Sequence, residues 1–186
     1  MKLFSKLFGP KFHYAVPRNA RLTSKIDIEH NFLFGQYSTM NISPGSILKI
    51  NNYVEFRKYC AIYLHTNANL IIGDRVFFNN YCSLNCLGKT EIGENTLFGE
   101  GVKLYDHNHQ YKYLSGDLKV ERFDFSIGSI KIGKNCWIGS NVIILNNVEI
   151  GDNVIIGANC LIHKNIPPNS IVKLNGSVSI ETMTNE

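Results

Sequence analysis

The sequence predicts an all-β fold: a parallel β-helix solenoid of about six triangular coils, interrupted by one extended loop. Three observations carry this prediction. Isoleucine recurs every sixth residue at Ile132, Ile138, Ile144, Ile150, Ile156 and Ile162. Four positions after each of the first five stands a small or β-branched residue: Cys136, Val142, Val148, Val154 and Cys160. Glycine follows the isoleucine at Gly133, Gly139, Gly151 and Gly157. A period of six matches neither the 3.6 of an amphipathic helix nor the two-residue alternation of a half-buried strand. It matches a chain that turns a corner after every short strand and returns into register.

Taken in order, residues 1–25 form a non-repetitive amino-terminal cap. Leu3, Phe4, Leu7 and Phe8 have helical spacing among basic residues, so this segment suits either an anionic membrane surface or packing as a short helix. It lacks the long apolar stretch of a secretory signal. The repeat then occupies residues 26–170. Its first set is Ile28, Phe34 and Met40 with Phe32 and Ser38 in the small slots. Ile50, Phe56 and Ile62 follow with Val54 and Cys60, then Ile72, Phe78 and Leu84 with Val76 and Cys82. Ile92, Phe98 and Leu104 continue it with Thr96 and Val102. Early sets recur every 20 to 22 residues, whereas Ile132 to Ile150 is an interval of 18. Asn51-Asn52, Asn79-Asn80, Asn146-Asn147 and the Gly-Asp or Gly-Glu pairs are expected at corners, where unusual backbone angles are needed. Residues 106–129 escape the period, and a long loop inside a regular solenoid is usually functional. Pro167-Pro168 ends the strands, and residues 171–186 form a tail.

At 186 residues the chain is one ordinary domain, and its 18% charged residues suit a β-rich protein. The net charge of +4 is concentrated before Asp27, so a broad nucleic-acid surface is not indicated. Cys60, Cys82, Cys136 and Cys160 all fall in the small inward slot and read as buried hydrophobes. Unpaired buried thiols suit a reducing cytoplasm. No apolar run approaches the ~20 residues of a membrane span.

The interruption holds the chemistry-bearing residues. His107 and His109 stand two apart beside Asp106, followed by Tyr111, Tyr113 and Arg122. Three readings are open on residues alone: a general base, a metal-binding His-x-His pair completed by Asp106, or exposed loop histidines. No third histidine or cysteine stands at a spacing that favours the metal.

Across roughly residues 65–175 the hexads, the Trp137–Leu145 run WIGSNVIIL and the His163–Pro168 run HKNIPP resemble the hexapeptide-repeat acyltransferases. The similar branch contains maltose, galactoside and nodulation-factor acetyltransferases, and the Asp106–His109 wording DHNH is similar to that of polysaccharide O-acetyltransferases. The resemblance implies a left-handed coil, against the general right-handed preference of crossovers. It also implies a homotrimer with acetyl-CoA between neighbouring subunits. The family's catalytic histidine closes an apolar-aromatic-x-x-x-His segment, which here is Leu104 to His109. By the same matching, Asn79 lies near the thioester and Trp137 near the pantetheine arm. Ser140, Ala158, His163 and Lys164 line the coenzyme groove. On residues alone Asn79 reads as a corner asparagine, Trp137 equally as a residue packed beneath the loop, and Lys164 as a solvated lysine. Asp106, His107 and Tyr111 are expected at the acceptor.

Two departures bear on the acceptor and the coenzyme. The family's acceptor-binding aspartate falls on Cys86, and its Pro-x-Arg falls on Gly176-Ser177-Val178. The function expected is O-acetylation of a sugar, in bacterial surface polysaccharide synthesis, with His109 as general base and no metal. The alternatives are N-acetylation of an amino sugar nucleotide and a non-catalytic or metal-binding β-helix. Carbonic anhydrases share the architecture, but His65, His107, His109 and His163 do not have that family's spacing.

Overall fold

A computed structural model of the chain describes residues 13–15 and 23–174. The expected amino-terminal helix with its membrane contact, and the Gly176–Val178 departure, lie outside the described residues. Among the described residues no helix is long and apolar enough to cross a membrane.

The six-residue period becomes three parallel sheets, one per face of the coil. On the first face, Met40, Ile62, Leu84, Leu104, Ile144 and Ile162 stand in register. Ile28, Ile50, Ile72, Ile92, Ile132 and Ile150 do so on the second. Phe34, Phe56, Phe78, Phe98, Ile138 and Ile156 do so on the third. Every set read from the sequence therefore supplies one residue to each column, and no single coil buries its own apolar face without the next. The small slots Val54, Cys60, Val76, Cys82, Thr96 and Val102 are buried between these columns. All five cysteines are free and buried. The chain-length difference between early and late coils is taken up in the strands. Ala61–Leu64 and Ser83–Cys86 have four residues each, where Ile143–Ile144 and Leu161–Ile162 have two. His13–Ala15, within the expected cap, adds its backbone in parallel to Thr39–Asn41 and so begins the first sheet with a strand.

Corners are made by one rule. From Ser38 onward the residue just before each small slot adopts the left-handed conformation, at Asn95, Asn135, Asn141, Asn147, Asn153 and Asn159 with φ of 56° to 62°. Asn tolerates this region. In the early coils the same position holds Tyr37, Tyr53, Tyr59, Arg75 and Tyr81. At Asn51-Asn52 and Asn79-Asn80 the left-handed residue is thus the next one, Tyr53 or Tyr81, rather than either asparagine. The asparagines of the latter pair work through their amides instead. Asn79 Oδ1 accepts from the Asn80 amide at 2.9 Å and Asn80 Oδ1 from the Lys58 amide at 3.2 Å. Tyr37, Tyr59 and Tyr81 stack at 5.1 Å with interplanar angles of 12° and 6°, an attraction that offsets part of the cost of about 1 kcal/mol per strained corner.

Residues 106–129, expected as an extended loop, are a two-stranded antiparallel hairpin. His107–Leu114 pairs with Asp117–Ile127 around Ser115-Gly116, both at positive φ, before the coil resumes at Ser129. Its root is pinned by Asp106. In–out alternation from the inward Leu104 turns the Asp106 side chain into the core, where it has no exposed surface. Its carboxylate accepts from the amides of Leu87 at 2.8 Å and Gly88 at 3.0 Å, at the corner of the preceding coil. The Asp106 carbonyl accepts from the Gly128 amide at 2.7 Å, which closes the base of the hairpin.

Two stability predictions follow from these contacts. Phe78 lies between Phe56 and Phe98, with ring centroids at 4.0 and 4.4 Å. Phe78→Ala is expected to lower the unfolding free energy in a urea titration by about 3–5 kcal/mol. Asp106→Asn replaces one acceptor oxygen with a donor facing an amide, and is expected to cost about 2–4 kcal/mol. Amide exchange at Leu87, Gly88 and Gly128 should quicken more than at Ile138 in that variant. Unchanged exchange at the hairpin root would contradict the pinning role.

Candidate active site

The expected site residues lie at two different corners of the coil. The corner leading from the third face to the first carries Asn79, Ser140 and Ala158. The corner leading from the first face to the second carries His65, Asp106, His163, Lys164 and the hairpin. The strands of the first face separate the two.

At the first of these corners, backbones of successive coils approach too closely for side chains. A Cβ on Gly139 would come within 2.6 Å of the Ala158 nitrogen, and one on Gly99 within 2.6 Å of the Ser140 nitrogen. The bare corner leaves a cleft of about 360 Å³ lined by Trp137, Ser140, Ile155, Ala158, Ile171 and Lys173. Trp137, Ser140 and Ala158 are thus brought together, and Ile155, Ile171 and Lys173 join them. Trp137 does not lie beneath the hairpin of its own chain, since it faces outward and is 57% exposed. Asn79 lies two coils from Gly139, about 10 Å along the axis. With Oδ1 engaged by the Asn80 amide, its NH₂ group is left to donate. His163 and Lys164 line a separate cleft of about 180 Å³ with Leu161, Asn165 and Ile166. The six residues matched to the coenzyme therefore do not share one cavity within a single chain.

At the other corner the two histidines have different surroundings. His109 is exposed, its Nδ1 is 3.0 Å from the Glu121 carbonyl oxygen, and its ring packs on Phe125 with centroids at 4.6 Å. A carbonyl can only accept, so this bond places the proton on Nδ1 and leaves the Nε2 lone pair free toward solvent. His107 is drawn beneath the hairpin with its side chain 15% exposed, its Nδ1 3.2 Å from Asp106 Oδ1. Phe125, Tyr105 and His65 surround it. Burial and the proximity of His107 hold the His65 imidazole below its ordinary range. Asn108 adds a hydrogen bond to Asn146 at 3.0 Å.

These surroundings correct two expectations. Asp106 cannot touch an acceptor, because its carboxylate is wholly buried and committed to Leu87, Gly88 and His107. Cys86 stands in the inward column one coil before Asp106, where burial and that carboxylate push its thiol upward. It is therefore a core residue rather than a failed acceptor ligand. Tyr111 and Tyr113 project from the hairpin into solvent. Glu121 was missed as a partner of His109 because a backbone carbonyl leaves no signature in residue type. Among the described residues no group of three or more His, Cys, Asp or Glu is arranged around a metal position.

Known proteins share both the pattern and the fold. Residues 129–164 match the family described as bacterial transferase hexapeptide (six repeats). Nodulation protein L of Rhizobium meliloti (strain 1021) is 31% identical over 141 residues, 75% of this chain and 69% of that protein. A galactoside acetyltransferase solved in complex with coenzyme A superposes with a TM-score of 0.50 at 26% identity, over 75% of this chain and 60% of its own. This chain thus spans less than two thirds of that enzyme. An N-acyltransferase from Bacillus cereus shares the fold at a TM-score of 0.53 and 16% identity, over 80% of this chain and 76% of its own. With its columns of hexads in register and its likeness to nodulation protein L, the chain belongs to the hexapeptide-repeat acetyltransferase family.

Proposed function

We propose that the protein is an acetyl-CoA-dependent O-acetyltransferase that modifies a sugar hydroxyl, in the synthesis of a bacterial surface polysaccharide in the cytoplasm. The observation that carries this reading is His109. Its tautomer is set by Glu121, and its free Nε2 stands on an exposed arm where an acceptor can approach. A sugar hydroxyl is a poor nucleophile until its proton leaves, and neutral imidazole is suited to take it.

The reaction runs in a ternary complex. The acceptor hydroxyl gives its proton to His109 Nε2 as its oxygen attacks the thioester carbon. The carbonyl oxygen becomes an oxyanion, and the free NH₂ of Asn79 is a donor for it. The C–S bond then breaks, and the imidazolium returns the proton to the departing thiolate. Trp137, Ser140 and Ala158 hold the pantetheine arm along the bare corner. His163 and Lys164, at the next corner, meet the phosphates as hydrogen-bond donor and point charge. Asp106 does not take part in proton transfer. It positions the arm.

A second copy of the chain is needed to complete this site. His109 and Asn79 belong to corners separated by a whole face, and the two hairpin strands pair only with each other. Tyr113 is 70% and Phe123 83% exposed, a large apolar area for a two-stranded ribbon that has no support of its own. Leu97, Trp137, Ile155 and Ile171 present a matching outward apolar column on the third face. A cyclic homotrimer lets each hairpin lie across the next copy and carry His109 to that copy's Asn79.

The test is coenzyme A release from acetyl-CoA with a panel of sugars. His109→Ala is expected to lower kcat by about 10²–10⁴ while the KM for acetyl-CoA stays near wild type. Release with no acceptor in the panel, or an undiminished rate in the variant, would overturn the reading. A loss well below tenfold with amino sugars alone would favour N-acetylation, since a free amine needs less help at attack.

A further inference from the structure

A further cleft in the described structure is neither of those assigned to the coenzyme. It measures about 520 Å³ and is lined by Gln36, Glu55, Arg57, Lys58 and Asn80, with Phe56 among its apolar walls. It lies on the same corner as Asn79, one coil further toward the amino-terminal end. Asn80 lines it directly, while Asn79 beside it carries the donor assigned to the thioester oxygen. The spacing of one coil, about 4.8 Å, puts Arg57 and Lys58 within one sugar ring of that position.

The groups facing the cleft are mostly donors. Asn80 Oδ1 is already occupied by the Lys58 amide, so its NH₂ remains to donate. The Arg57 guanidinium sits 5.2 Å above the Phe77 ring, which restricts its freedom before any ligand arrives. Neither Arg57 nor Lys58 has a carboxylate partner among the described residues. By contrast, Arg75, Lys89, Lys112, Lys119 and Lys131 are paired with glutamates. Glu55 is the single carboxylate in the lining. Unpaired cations beside oriented amide donors, in a space large enough for one or two sugar rings, suit an anion.

We infer that the Gln36–Arg57–Lys58–Asn80 cleft is the acceptor subsite and that it takes a negatively charged sugar, held by its carboxylate or phosphate. The inference rests on the acetyltransferase reading for the word acceptor, but the binding it claims does not require turnover. Arg57 forms the planar two-point contact, Lys58 adds a second charge, and the Asn80 amide binds a neighbouring hydroxyl.

Ligand-observed NMR titrations of the full chain without acetyl-CoA test it, with D-glucuronate, D-glucose 1-phosphate and D-glucose as probes. At least one charged probe is expected to bind about tenfold or more tighter than glucose, and Arg57→Ala/Lys58→Ala to abolish that preference. Preference for glucuronate assigns a uronic acid, and preference for the phosphate assigns a phosphate-linked sugar. Arg57→Lys/Lys58→Arg keeps both charges and should keep most of the preference, which separates loss of binding from loss of fold. Equal binding of all three probes, no binding of either charged probe, or an unaltered preference in the alanine variant would overturn the inference. Charge-dependent binding without acetyl transfer to any sugar would leave the cleft standing and remove the enzymatic reading. Transfer to neutral sugars alone, indifferent to Arg57 and Lys58, would do the reverse.

Discussion

Each coil must return the chain to the phase at which it began, and the rest of the structure depends on that closure. It is achieved by one left-handed residue before each small inward slot from Ser38 onward. Where that residue is Asn, the side chains also bond along the axis, as in the ladder Asn95–Asn135–Asn153–Asn169 with contacts of 2.9 to 3.2 Å. With closure secured, three inward columns align and the outward positions stack as well. A residue's place on a corner then sets which other residues it joins along the axis. Trp137, Ser140 and Ala158 share a cleft for this reason, and Arg57 and Lys58 share another below Asn79.

The same regularity limits what the body of the solenoid can do. Corners in register yield grooves, but they hold no flexible base that can reach a substrate. The proposed base, His109, stands on the excursion that leaves the period at Asp106 and returns at Ser129. The buried Asp106 carboxylate ties that excursion to the coil before it, while the Glu121 carbonyl orients the imidazole of His109. Structure and chemistry are thus divided between neighbouring residues. Asp106 faces inward and holds, and His107 is half-buried beside it, whereas His109 is exposed with Nε2 unengaged by the Glu121 carbonyl.

The columns were legible in the sequence because every position of the hexad repeats, so each residue is checked by five others. The hairpin was readable only as an interruption, although Ser115-Gly116 between alternating Tyr111, Tyr113 and Leu118, Val120 carried its signal. The inward turn of Asp106 was not legible, because an aspartate beside a histidine reads as a site residue until the in–out phase of Leu104 is extended past the end of its strand. Tyrosine at left-handed corners runs against local preference, and at Tyr37, Tyr59 and Tyr81 it is explained by the stacking that successive coils permit. Arg57 and Lys58 read as solvated charges, since nothing in their spacing says that they line one cleft with Asn80. The separation of His109 from Asn79 by a face is a property of three dimensions.

That separation makes the shared site the central claim. It is tested most directly by co-refolding equal amounts of His109→Ala and Asn79→Ala chains, each expected to be impaired by about 10²-fold or more alone. If His109 of one copy serves Asn79 of the next, random assortment restores roughly one quarter of the sites, and coenzyme A release should recover to about that fraction of wild type. If each chain carries a complete site of its own, the mixture will be no more active than the two variants measured separately.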